Sequence, residues 1–228
     1  YTVSEEYLGN ALKGRREKFY IATKSMSRDY ESMKRDIEIS LKNLQTDYID
    51  LYQMHNVKPA EYDTIFGEDR AYRALLEAKE QGKIKHIGIT SHGLETVEKA
   101  VESDKFETIQ FPYNIVENQA DEVFKRAYEK GVGTIVMKPL AGGAIDDGTL
   151  AMKYLLSREY IDVAIPGMDS PQQVIENTDV LQNYELTEED NKIVLFALIN
   201  GDRVNLVFSC SKNLNSLDMN SLLKDAIK

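Results

Sequence analysis

Tyr48-Ile49-Asp50-Leu51-Tyr52-Gln53-Met54-His55 is a run of strand formers ending in a polar residue, and together with the next two elements it decides the fold. From about Ala71 to Gln81 the pattern turns helical and stops at Gly82, a residue suited to a helix C-cap. Ile84 to Thr90 is then a second strand. Strand, helix and strand at this spacing make a βαβ unit, and such units build parallel sheets.

The alternation continues in both directions. Upstream, Phe19-Tyr20-Ile21-Ala22-Thr23-Lys24 reads as a strand, and Met33, Ile37, Leu41 and Leu44 recur at the spacing of an amphipathic helix. Downstream, Leu94, Val97 and Val101 line a helix, and Thr108 to Asn114 is a strand. Val123, Phe124, Ala127 and Tyr128 line the next helix, closed by Gly131. Thr134 to Leu140 is a strand, Leu150 to Ser157 a helix and Asp162 to Pro166 a strand. Ser170-Pro171 offers an N-cap with proline at the first helical position. Thr187-Glu188-Glu189-Asp190 resembles a capping box opening a helix through Leu198.

Composition narrows the class. The 228 residues are 42% apolar and 29% charged, an ordinary globular balance. With 28 Lys+Arg against 38 Asp+Glu, the net charge of −10 opposes binding to a polyanion, so no nucleic-acid partner is expected. The single cysteine, Cys210, makes an intrachain disulfide or a Cys-rich metal site impossible within these residues, and it reads as a buried bystander. No run of 18 apolar residues occurs, so no spanning helix or membrane partner is expected. The chain opens on Tyr1 rather than Met, which leaves room for a removed targeting segment.

Two closures suit alternating strands and helices: an open doubly wound sheet or a (β/α) barrel. The absence of G-x-G-x-x-G removes the main fingerprint of the open dinucleotide-binding sheet. Lys24, His55, Ser91, Asn114 and Lys138 all fall at strand ends, which in a barrel face one mouth. The expected fold class is therefore α/β, a (β/α)8 TIM barrel. At 228 residues the chain is slightly short for that closure, which typically needs ~250 residues.

Several of these residues can carry chemistry, each with a plainer reading beside it. Lys24 is either a solvated strand end or a charge aimed into the mouth. His55 is either a packed, hydrogen-bonded histidine or a catalytic one, His86 reads as structural or surface, and His92 fits either role. The three histidines lack metal-ligand spacing and no H-E-x-x-H occurs, so no metal site is expected. Gly142-Gly143 is either a turn or a loop that lets a phosphate approach closely. The helix start at Ser170-Pro171 is an anion site only if something besides the helix dipole points there.

Taken together, the motifs resemble the aldo-keto reductase family. Tyr1-Thr2-Val3-Ser4-Glu5-Glu6-Tyr7-Leu8-Gly9 is similar to the stretch that carries its catalytic tyrosine, and Ile21-Ala22-Thr23-Lys24 to its catalytic-lysine strand. Asp47 to His55 resembles its catalytic-histidine strand, written D-Y-(I/L)-D-L-(Y/L)-x-x-H. Lys83 to Ser91 and Val163 to Gly167 resemble its fifth and eighth strands. The resemblance implies reduction of an aldehyde or ketone by hydride transfer from NADPH or NADH. Tyr1 would donate the proton, Lys24 would lower the pKa of that phenol, and His55 would hydrogen-bond the carbonyl oxygen.

The same resemblance implies the cofactor contacts. Thr90 or Ser91, with Gln110, would hold the nicotinamide carboxamide, and Met137 stands where many members place a stacking aromatic. Lys138, Pro139, Leu140, Ala141, Gly142 and Gly143 would line the cofactor, with Ala141 to Gly143 along its pyrophosphate. Glu176 and Asn177 would meet the adenine. Gly167-Met168 and Gln173 stand where many members have a lysine and an arginine for the 2′-phosphate, so NADP and NAD both stay open.

The ends of the chain depart from the family order. The family's aspartate, five residues before the tyrosine, would fall before Tyr1. Val204 to Ser211 reads as a strand and Asp218 to Lys228 as a helix, and both are similar to the family's first strand and helix. Residues 1–198 are therefore expected to form the barrel core, lacking or reordering its first two β/α units. Residues 199–228 are then either a permuted first unit, one running out of biological order, or a C-terminal extension. A small carbonyl substrate and a cytoplasmic location are expected, while substrate identity and oligomeric state are not legible. Tyr62, Phe66 and Tyr113 either line an apolar substrate pocket or simply pack. Two rival functions stay open: a cofactor-binding barrel serving as a non-catalytic regulatory or interaction subunit, and a lyase with Lys24 as imine former.

Overall fold

The computed structural model describes residues 3–200, with side chains through 194; Tyr1 and the segments Val204 to Ser211 and Asp218 to Lys228 lie outside them. The described residues fall into two compact units, one of residues 3–111 and 129–133, the other of 112–128 and 134–200. No helix among them is long and apolar enough to cross a membrane.

The first unit opens with helix α1 (Ser4–Ala11) and alternates β1 (Ala22–Ser25), α2 (Tyr30–Leu44), β2 (Ile49–Met54), α3 (Ala71–Glu80), β3 (Ile84–Thr90), α4 (Leu94–Glu102) and β4 (Thr108–Pro112). Its strands pair in parallel, each with the next in the chain. The register sets Lys24, Gln53, Gly88 and Thr108 abreast across the four strands. Successive strand residues point to opposite faces, so Tyr52 and Met54 lie on the other face, where the Tyr52 hydroxyl is 3.3 Å from Ser40 Oγ of α2. Helix α2 buries the expected stripe of Met33, Ile37, Leu41 and Leu44. It begins on an N-cap in which Asp29 accepts the N–H of Ser32, and Gly82 ends α3 in the left-handed conformation (φ 73°).

The second unit holds α5 (Asp121–Glu129), β5 (Gly133–Met137), α6 (Gly148–Leu156), β6 (Val163–Ile165), α7 (Pro171–Asp179) and α8 (Glu188–Asn200), with β5 and β6 parallel. Ser170 caps α7 by accepting the N–H of Gln173 at 3.2 Å. At the start of α8, Thr187 and Asp190 form a reciprocal cap, Oγ1 accepting one N–H at 3.1 Å and Oδ2 the other at 2.9 Å. That same Oδ2 accepts Lys153 Nζ of α6 at 3.2 Å.

Five strands are shorter than their sequence patterns, β2 and β6 by one residue at each end. The chain before β1 is taken up by a turn over Arg16–Lys18, with Tyr20 pointing into solvent, so pairing starts at Ala22. β4 stops at Pro112 because the Asn114 carboxamide accepts the N–H groups of Val116 and Glu117 and bends the chain. β5 stops at Met137 because Lys138 adopts φ 56°, a left-handed conformation incompatible with a strand.

One buried carboxylate ties the N-terminal ends of the first three strands. Asp50, 5% exposed, accepts Arg16 Nη2 at 2.7 Å, the Ile21 N–H at 3.0 Å and Lys85 Nζ at 3.0 Å. The Tyr48 ring lies beneath both cations, 4.2 Å from the Arg16 guanidinium carbon and 3.9 Å from Lys85 Nζ. Burial alone would raise the Asp50 carboxyl; the Ile21 N–H, Arg16 and Lys85 outweigh it and hold the pKa below the usual carboxylate value. A depressed carboxylate adds stability above its unfolded pKa and loses it as pH falls through the folded one. Asp50→Asn is expected to cost about 3 kcal/mol, since it strands the part-buried Arg16. Urea unfolding at pH 7 measures this, and the gap to the unaltered chain should close toward pH 3.

Candidate active site

Lys24 projects from β1 beside Gln53, half-buried, and burial lowers its ammonium pKa. His55 comes directly after the last residue of β2, its N–H continuing the ladder to the Ser25 carbonyl at 2.8 Å. Burial first, then the positive charges of Lys24, Arg28 and His92, lower its imidazole pKa. At neutral pH the ring is therefore uncharged and offers an N–H as hydrogen-bond donor. Lys24 and His55 line one cavity of about 490 Å³, shared with Ser4, Glu5 and Leu8 of α1 and Asp36 of α2.

Arg28, which no sequence motif singles out, organises this end. Its guanidinium donates to the carbonyls of Met26 at 2.9 Å, His55 at 2.8 Å and Asn56 at 3.2 Å, and to Glu61 Oε2 at 3.2 Å. It thus joins the loop after β1 to the loop after β2. Only arginine presents donors in a planar fork wide enough for such a clamp. No sequence periodicity marks a contact of this kind.

The next ties run through the expected carboxamide residues. Thr90 Oγ1 accepts the Asn56 N–H at 2.8 Å, and the Thr90 carbonyl accepts the Val57 N–H at 2.9 Å. Ser91 Oγ donates to the Val57 carbonyl at 2.6 Å and accepts the Gly93 N–H at 2.9 Å. The Ser91 N–H donates to the Gln110 carbonyl at 3.1 Å. Lys24, His55, Thr90, Ser91 and Gln110 are thereby brought to the C-terminal ends of successive strands. Gly88, abreast of Lys24 and Gln53, is required: a Cβ there would lie 2.2 Å from Thr108 Oγ1 and 3.1 Å from Gln53 Cγ. Within its own strand pattern this glycine carries no mark of that role.

In the second unit, Met137 closes β5, and Lys138 (φ 56°), Pro139, Leu140, Ala141 (φ 49°), Gly142 (φ 69°) and Gly143 (φ 96°) form the turn after it. Space is open around Gly142 and Gly143, with no atom within 4 Å of where a side chain would start. Gly167 has the same open surroundings, and α7 buries none of its residues, Gln173, Glu176 and Asn177 included. Gln173 Oε1 accepts the Asp169 N–H at 2.6 Å, and Glu176 accepts Gln172 Nε2 at 3.0 Å. Tyr62 and Phe66 pack edge to face at 5.3 Å within a cluster that includes Tyr72 and Phe106. Tyr113 is buried with its hydroxyl on Asp121 at 2.5 Å, so all three candidate pocket aromatics are packing residues. His86 is exposed and pairs through Nδ1 with Glu107 at 2.6 Å. Among the described residues no group of three or more His, Cys, Asp or Glu side chains is placed to hold a metal ion.

The sequence profile of the aldo/keto reductase family matches residues 1–149, and the chain belongs to that family. It is 28% identical over 183 residues to the aldo-keto reductase YhdN of Bacillus subtilis (strain 168), covering 74% of this chain and 53% of that protein. It is 30% identical over 199 residues to the methylglyoxal reductase DkgA of Escherichia coli (strain K12), covering 78% of this chain and 70% of that one. The chain thus spans about half to two thirds of the length of curated relatives such as YhdN and YqkF of Bacillus subtilis. Among solved structures, the holo form of aldo-keto reductase AKR11C1 from Bacillus halodurans superposes with a TM-score of 0.72 at 26% identity, covering 85% of this chain and 77% of that one. The fold is that of these (β/α)8-barrel relatives, with six strands among the described residues, parallel within each unit.

Arg28→Gln is expected to move the His55 midpoint upward, toward the ordinary imidazole value of about 6.5, because one of the charges depressing it is removed. Proton NMR titration of the His55 ring tracks the change; an unmoved midpoint would remove Arg28 as a cause and leave burial with the charges of Lys24 and His92.

Proposed function

We propose that this chain serves an NAD(P)H-dependent reductase that converts an aldehyde or ketone to the alcohol. The observation that carries the reading is the shared cavity of Lys24 and His55, two groups whose basicity burial lowers. Bound NADPH or NADH supplies the hydride for the carbonyl carbon. The chain's own residues suit such a group: the open backbone at Gly142 and Gly143 leaves room for phosphates, and the amide of Gln110 with Thr90 and Ser91 suits a carboxamide.

As the carbonyl carbon gains the hydride, the C=O π pair moves to oxygen, and that oxygen must be stabilised and protonated. Neutral His55 donates an N–H hydrogen bond to the oxygen and orients it. Tyr1 then gives its phenolic proton to the alkoxide, and the ammonium of Lys24 favours the phenolate left behind. Support for Tyr1 comes from α1: it begins at Ser4, and its Ser4, Glu5 and Leu8 line the same cavity. Methylglyoxal, named for the relative DkgA, is a suitable first substrate to assay.

Fluorescence titration with NADPH and with NADH tests the cofactor claim, and binding of neither defeats it. Tyr1→Phe is expected to lower kcat by about 100-fold or more at unchanged cofactor affinity; full turnover would remove Tyr1 as proton donor. The pH profile of kcat/KM should stay flat through neutrality and fall only below about pH 6.5, where His55 gains a proton and charge. In His55→Gln that acid limb should vanish along with most of the activity.

A further inference from the structure

In the second unit, the chain beyond β4 and the chain beyond β5 are pinned together by one side chain. The Tyr113 N–H, one residue past β4, donates to the carbonyl of Met137, the last residue of β5, at 3.2 Å. One residue on, Asn114 is fully buried and both ends of its carboxamide are used. Oδ1 accepts the N–H groups of Val116 at 3.0 Å and Glu117 at 2.9 Å. Nδ2 donates to Glu117 Oε2 at 2.9 Å and to the Lys138 carbonyl at 3.0 Å.

That carbonyl is also the acceptor that closes the next turn, taking the Ala141 N–H at 3.0 Å. The turn needs such an anchor. Lys138 and Ala141 both hold left-handed backbone conformations, at φ 56° and 49°, which a Cβ disfavours. Gly142 and Gly143 come next at φ 69° and 96°, where only glycine is at ease. Beneath Asn114 the base is rigid, since the Tyr113 and Tyr160 hydroxyls both donate to Asp121 Oδ1 at 2.5 Å.

We propose that Asn114 is a positioning residue for dinucleotide binding: by donating to the Lys138 carbonyl, it holds the Lys138–Gly143 turn in the shape presented to the cofactor phosphates. It sets affinity without touching the ligand. The inference rests on the proposed reductase function, which gives this turn to the cofactor. Because the pyrophosphate is common to both dinucleotides, loss of the contact should weaken NADPH and NADH equally.

Three variants of the full chain test this. Asn114→Asp keeps the acceptor contacts to Val116 and Glu117 but has no donor for Lys138, and Asn114→Ser keeps an acceptor and adds no charge. Glu117→Gln is the control, since it leaves the Lys138 contact in place. Fluorescence titration should give a dissociation constant about tenfold higher for both dinucleotides in the two Asn114 variants, with kcat at saturating cofactor within about twofold. Glu117→Gln should stay within about twofold of the unaltered chain. Hydrogen exchange of the Ala141 amide should quicken in the Asn114 variants, while that of Tyr113 does not change. Unchanged affinity in both Asn114 variants, or an equal loss in Glu117→Gln, overturns the proposal. If the unaltered chain binds neither dinucleotide, the reductase function fails instead. Ala141 exchange needs no cofactor and still reports whether Asn114 sets the turn.

Discussion

The carboxylate of Asp50 fixes where β1, β2 and β3 begin. A parallel sheet has no hairpins to set its register, so each strand must be aligned by contacts distant in sequence. Asp50 supplies such contacts at one end, gathering the Ile21 N–H, Arg16 and Lys85 on two oxygens. A one-residue slip would break all three and turn the inward row to the helical side. The row of Lys24, Gln53 and Gly88 therefore depends on a charge at the opposite end of the same strands.

At the C-terminal ends the ties are different in kind. Hydrogen bonds to backbone groups predominate: Arg28, beside its Glu61 pair, to four carbonyls, Thr90 to Asn56, Ser91 to Val57. These contacts hold loops rather than strands, and they leave the Lys24 and His55 side chains facing a cavity. The charge near His55 is positive, and with burial it keeps the ring uncharged at neutral pH. The Asp50 ion pairs and the cavity lined by Lys24 and His55 thus lie at opposite ends of the strands, as the parallel α/β barrel permits.

Much of this is legible in the sequence because the signals are local. The Met33-Ile37-Leu41-Leu44 stripe, the glycines at 82 and 131 and the caps at Ser170 and Thr187 each act within one or two turns of chain. Polar residues at strand ends, such as His55 and Ser91, stand out against apolar runs. Arg28 and Gly88 carry no such mark. The importance of Arg28 comes from carbonyls up to 28 residues away, and that of Gly88 from a threonine on the next strand. β4 and β5 end earlier than their patterns suggest for a related reason: Asn114 and Lys138 redirect the chain by a side-chain bond and a left-handed φ, neither visible in hydrophobic pattern. The tyrosine proposed as proton donor and the tail segments lie outside the described residues, so their parts of the reading rest on resemblance.

Asp190 has a consequence for the order in which the chain folds. One of its oxygens serves the cap of α8 and also the cation on α6. The cap spans three residues and forms as fast as a helical turn, on the sub-microsecond scale. Lys153 is 37 residues away and its contact must wait for loop closure. The helix can therefore be nucleated by an anion that later becomes its docking point, so that the group which starts α8 already carries the charge that directs it to α6.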